Sequence, residues 1–213
     1  MPSAVPPPES APLPAEVSRV LAFWLEDAVQ LGWPSRDLKD LWFGGGAELD
    51  QTINREFGEL VRQALDGGLA PWEDQPLTRL ALTIVLDQFT RNVFRGQGRA
   101  FAGDARAQSL VLDGIARGWD RQLPLAGAVF FYMPLMHAED LALQETCIRC
   151  FRALHAGAPP ERQKGLQGNV DFAIRHRDII ARFGRFPYRN AALDRTSTAQ
   201  EQAFLHDGPR FGQ

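Results

Sequence analysis

The sequence predicts an all-α protein. Nearly every long segment repeats its apolar residues at helical spacing, no run alternates apolar and polar residues over strand length, and Gly/Pro clusters separate the periodic stretches. About eight helices packed as antiparallel pairs are expected, an arrangement compatible with a diverged solenoid. With 213 residues, 45% hydrophobic and 23% charged, the chain can bury one sizeable core. A single domain over residues 16–213 is therefore expected behind a proline-rich tail at 1–15.

The first fourteen residues, MPSAVPPPESAPLP, hold six prolines, no basic residue and no apolar run. They read as a disordered or extended tail and not as a secretory signal. In EVSRVLAFWLEDA the positions Val17, Val20, Leu21, Trp24 and Leu25 fall on one stripe of an amphipathic helix. After Trp33-Pro34-Ser35 a short helix is expected near Asp37 to Trp42, stopped by Gly44, Gly45 and Gly46. That triplet follows no strand and precedes no Lys-Ser or Lys-Thr, so it is a connector, not a phosphate loop. A helix from Glu48 to Asp66 ends at Gly67 and Gly68, and another spans Leu77 to Val93. Beyond the loop FRGQGRAFAGD, Asp104 is placed to cap a helix reaching Ala116. LPLAGAVFFYMPLM is apolar all round and reads as a buried helix, bent or stopped at Pro134. Helices over Ala138 to Leu154 and Glu161 to Phe183 follow, and a capping box within Thr196 to Glu201 opens a last one to Phe204.

Composition narrows the function. A net charge of −3 and a pI near 5.8 argue against a nucleic-acid binder that relies on a general positive field. No stretch reaches the roughly 18 apolar residues of a membrane span. Two cysteines and no export signal favour a reducing, cytoplasmic setting. Cys147 and Cys150 form C-x-x-C inside a helix with no second pair, which reads as buried small residues. His137, Glu139, Asp140 and His176 match no metal-ligand spacing, and nothing in the sequence calls for a metal or cofactor.

Three segments turn polar groups toward faces that should be dry. In LDQFTRNVFRG, Asp87, Gln88, Arg91 and Arg95 continue the face of Leu80 and Ile84, with Asn92 beside Gln88 at i, i+4. In AEDLALQETCIRCFRAL, Asp140 aligns with Leu143 and Cys147 as an inward carboxylate, with Glu139 alongside. In NVDFAIRHRDIIARF, His176 sits among Phe172, Ile179, Ile180 and Phe183. Arg177 at the edge of that stripe, with Arg185, Arg189 and Asn190 downstream, adds guanidinium groups suited to a carboxylate or phosphate. Buried polar groups need partners, and three helices turning such groups inward can supply one another. Internal neutralisation of the arginines by Asp87, Glu139 and Asp140 gives the same sequence pattern.

LDQFTRNVFRGQGRAFAGDARA, YMPLMHAEDLALQE and RHRDIIARFGRFPYRNAALDRTSTAQEQAFL together resemble the bacterial family catalogued as domain of unknown function 924, from about Val20 to Phe204. Thr90 stands where that family usually has proline, and Ala138 where it has serine. The resemblance implies an all-α fold similar to tetratricopeptide-repeat arrangements and supplies no activity. Its motif residues coincide with the polar groups already named, Asp87, Gln88, Arg91, Asn92, Arg95, Glu139, Asp140, His176, Arg177, Arg185 and Asn190. The expected function is a pocket for a small anionic metabolite. Arg91, Arg95 and Arg177 would hold it, Asp87, Gln88, Asn92, Arg185 and Asn190 would line it, and His176 with Asp140 or Glu139 would be available for proton transfer. The alternatives are a helical module that clamps a peptide carboxylate and a purely architectural network.

Overall fold

The computed structural model describes residues 12–207, and among them every regular element is helical. The expected tail lies, for residues 1–11, outside the described residues. The helices are α1 (Ala15–Leu25), α2 (Ala28–Leu31), α3 (Ala47–Leu65), α4 (Pro76–Ile84), α5 (Thr90–Val93), α6 (Asp104–Ala116), α7 (Leu125–Met136), α8 (Leu141–Gly157), α9 (Pro160–Phe183) and α10 (Ala199–Asp207). The short helix expected after Pro34 is one wide turn at Asp40–Gly44.

The centre of the molecule is α7, whose buried residues run without a break from Ala126 to Met136. Pro134 lies inside it. Around α7 pack α4, α6, α8 and α9, with α1 on α4. Only Ala158 and Pro159 separate α8 from α9, so the densely packed pair must run antiparallel. One large apolar core joins α1, α3, α4, α6, α7, α8 and the first half of α9. A smaller one, Ile179, Ile180 and Phe186 with Phe183, Tyr188 and Phe204 against it, attaches the C-terminal arm.

Three differences from expectation shape the site. The predicted helix over 77–93 is real, but between α4 and α5 it widens into a π turn, Val85–Phe89, where the Thr90 N–H reaches back to the Val85 carbonyl. Such turns push one extra residue into the helix wall, and here the wall carries Asp87 and Gln88. Asp104 does not cap α6; it is the first helical residue, and its carboxylate is taken by arginines. Helix α8 begins at Leu141, so Glu139 lies in the link before it. The inward carboxylate expected at Asp140 is exposed: it caps α8 by accepting the Leu143 N–H at 2.9 Å.

Candidate functional site

Asp87 is the hub. Its side chain is 1% exposed, because the π turn packs against α3 and α6, with Gln88 reaching Met133 of α7, rather than facing solvent. Oδ1 and Oδ2 lie 2.8 and 3.0 Å from His137 Nδ1, and Gln88 Nε2 donates to Oδ2 at 2.6 Å. A guanidinium nitrogen of Arg91 is 3.1 Å from Oδ1. Burial opposes the charge on Asp87, yet Arg91 and His137 hold its pKa well below the usual carboxylate range. An ionised carboxylate only accepts, so His137 Nδ1 carries the proton and Nε2 the lone pair. Burial pushes the His137 pKa down against the pull of Asp87, leaving the imidazole neutral at pH 7.

Arg91 also pairs with Asp104 from the start of α6, at 3.0 Å. Asp104 in turn receives Arg189 from the C-terminal arm at 3.4 Å, and Arg189 is stacked between Phe101 and Phe186 at 4.5 and 4.6 Å. Burial and the nearby Arg91 make the Arg189 guanidinium less basic than usual. Glu139 accepts two hydrogen bonds from Arg195, at 2.6 and 2.9 Å, and the Phe186 N–H at 2.8 Å. His176 is buried; its Nδ1 lies 2.8 Å from the Phe172 carbonyl and its ring 6.3 Å from that of His137. Burial first, and then repulsion from His137 wherever that ring takes up a proton, pushes its pKa down to about 3.

Of the residues expected to share a pocket, Asp87, Gln88, Arg91, Glu139 and His176 do converge. The others do not. Asn92 and Arg95 turn to Asp50 of α3, because the helix ends at Val93. Arg177 bridges to Glu145 on α8 and to Asp178 at the surface. Arg185 takes Glu201, and Asn190 donates to Ser197. Phe172, placed beside His176 on the inner stripe, is exposed. Periodicity missed the roles of His137, Asp104, Arg189 and Arg195, all in links or at helix ends where a helical stripe carries no information. Tertiary pairing alone recruits them.

Arg91 joins the cluster to a neighbouring cleft of about 240 Å³ lined by Arg91, Arg95, Gly96, Ala100, Phe101, Tyr188, Ala191 and Ala192. The Nε–H groups of Arg91 and Arg189 are buried and lack an acceptor among the described residues. No group of three or more His, Cys, Asp or Glu suited to a metal ion occurs among those residues. No helix among them is long and apolar enough to cross a membrane.

The profile of a bacterial protein family of unknown function, DUF924, matches residues 20–209. A search of curated proteins finds no match. The chain is similar to the solved structure of a protein of unknown function, ATU0120, from Agrobacterium tumefaciens, at 33% identity and a TM-score of 0.75, over 91% of this chain and 98% of that one. The length of the profile match and the likeness in fold agree: the chain belongs to the DUF924 family of bacterial proteins.

Proposed function

We propose that the chain binds a small anionic molecule, a carboxylate or phosphate compound, in the cleft over Arg91, with the Asp87–His137 pair available for proton transfer. The observation that carries this reading is the buried Nε–H of Arg91, a donor without an acceptor in a residue that lines a cleft. Buried donors are rarely left unpaired, and an anion's oxygen is a fitting acceptor. Arg95 and Tyr188 line the same cleft and can hold the rest of the ligand. At about 240 Å³ the space falls below the roughly 300 Å³ at which drug-sized pockets begin, so the ligand is small. His137 suits proton transfer better than the exposed Asp140 or the Arg195-bound Glu139. Its Nδ1 is oriented by a carboxylate, its ring is neutral, and 12% of its side chain is exposed. The unpaired thiols of Cys147 and Cys150 fit the reducing, cytoplasmic setting expected of such a protein.

Calorimetry with inorganic phosphate and with succinate tests the reading. Arg95→Gln should weaken the better ligand about tenfold while the melting temperature stays nearly constant, since Arg95 is half exposed and its pair with Asp50 is worth little. Binding that ignores Arg95→Gln and Tyr188→Ala alike would defeat it. A second reading, an architectural ion-pair network, is favoured by the carboxylate that each of Arg91, Arg95, Arg177, Arg185, Arg189 and Arg195 already holds. It predicts that charge removal costs stability and that neither anion binds.

A further inference from the structure

A second cavity shares no lining residue with the Arg91 cleft. It is a groove of about 390 Å³ between the α2–α3 connection, α7 and the first turns of α9, within the roughly 300–1,000 Å³ of small-molecule sites. Its walls are aromatic. Trp33 and Trp42 meet edge to face at 6.2 Å, Trp42 and Phe130 at 4.9 Å, and Phe43 remains 59% exposed.

Three polar or small positions on α9 face this groove without an internal reason. Arg162 lies over the Trp33 ring at 5.2 Å and has no ion pair or side-chain hydrogen bond among the described residues. The other cations of the groove are committed, Arg36 to Glu26 and Lys39 to Asp37. Glu161 suits the first turn of α9, where the helix dipole favours an acid, and the same field disfavours Arg162 one position on. The Asn169 side chain makes no hydrogen bond among the described residues. Gly165 weakens the helix it sits in, yet no atom lies within 4 Å of where its Cβ would be. Packing does not require a glycine there; the missing side chain keeps the groove open above the helix backbone.

We propose that this groove binds a flat aromatic molecule carrying one anionic group, its ring against Trp33, Trp42 and Phe43 and its anion on Arg162. The aromatic walls supply stacking area, and Arg162 is the one groove cation among the described residues whose charge is not already matched. Asn169 offers both a donor and an acceptor to the ring's substituents.

The test uses the full chain with indole-3-acetate, 4-hydroxybenzoate and adenosine monophosphate, and with indole and acetate as the separated halves. Calorimetry and tryptophan fluorescence are read together, with Trp33→Phe assigning the signal. At least one aromatic anion should bind with a Kd of about 1 mM or tighter, the carboxylates and the phosphate separating the two anion types, and indole or acetate alone should bind at least tenfold more weakly. Arg162→Gln should weaken that ligand about tenfold, and Gly165→Leu should abolish binding without lowering the melting temperature, while Arg95→Gln leaves it unchanged. No binding of any of the three anions at roughly 10 mM, equal binding of indole, or indifference to both Arg162→Gln and Gly165→Leu would each overturn the proposal.

Discussion

Asp87 shows what a single buried charge demands. It is buried away from bulk solvent, and His137, Gln88 and Arg91 all turn to one carboxylate. Removing one member of a buried pair costs roughly 3–5 kcal/mol. Asp87→Asn should therefore lower the melting temperature by about 6–20 °C, at roughly 2–4 °C per kcal/mol for a chain of this size, as calorimetry would show. Acidity acts on the same residues. His176, with its pKa near 3, and His137, depressed in the same direction, stay neutral in the folded chain. Unfolded, each takes up a proton below about pH 6.5. Their contribution is thus complete above about 6.5 and drains away as pH falls toward the folded values. Asp87 adds a second loss below about pH 3.9, its unfolded value. Melting temperatures should hold level from pH 8 to 7 and decline below 6.5, and His176→Leu should make that decline shallower. An equal slope in wild type and variant would contradict the assignment.

At the scale of elements, the π turn and the start of α6 depend on each other. A Cβ placed on Gly103 would collide with the Leu86 carbonyl, which the π turn presents toward α6. That close approach brings Asp104 against Arg91. Gly103→Ala should push the two segments apart and loosen the pair, giving a melting temperature several degrees lower and faster amide exchange across 85–93. Unchanged exchange there would show that the contact is incidental. The start of the last helix was legible, though it runs to Asp207 and not Phe204: Thr198 Oγ1 accepts the Glu201 N–H, and Glu201 accepts the Thr198 N–H at 2.7 Å. Glu201 holds Arg185 as well, and that pair with the cap pulls its pKa down to about 2. Thr198→Ala should cost about 1 kcal/mol, visible in chemical denaturation.

Across the whole molecule, periodicity proved sufficient for the helices and insufficient for the links. Val17, Val20, Leu21, Trp24 and Leu25 are all buried on α1 as their spacing requires, and α3, α4 with α5, α7 and α9 lie within a few residues of expectation. The polar convergence was half legible. Asp87, Gln88, Arg91 and His176 lie on helical stripes, so their inward direction follows from 100° per residue. Asp140 misled because its apparent alignment with Cys147 presumed a helix that starts one turn too early; an acid just before a helix is equally a cap. His137, Asp104, Arg189 and Arg195 sit where no repeat operates, and only the folded path of the chain says what they touch.

That path has a consequence for how the protein is made. Asp104 must wait 85 residues for Arg189, and Glu139 must wait 56 for Arg195. Until the ribosome has released the stretch through Arg195, two acids at the heart of the nascent chain lack those counterions, and the second, smaller core has no Phe186. Maturation therefore ends at the carboxyl side, and a nascent chain stalled just short of Arg189 should be cut readily by protease where the finished one resists.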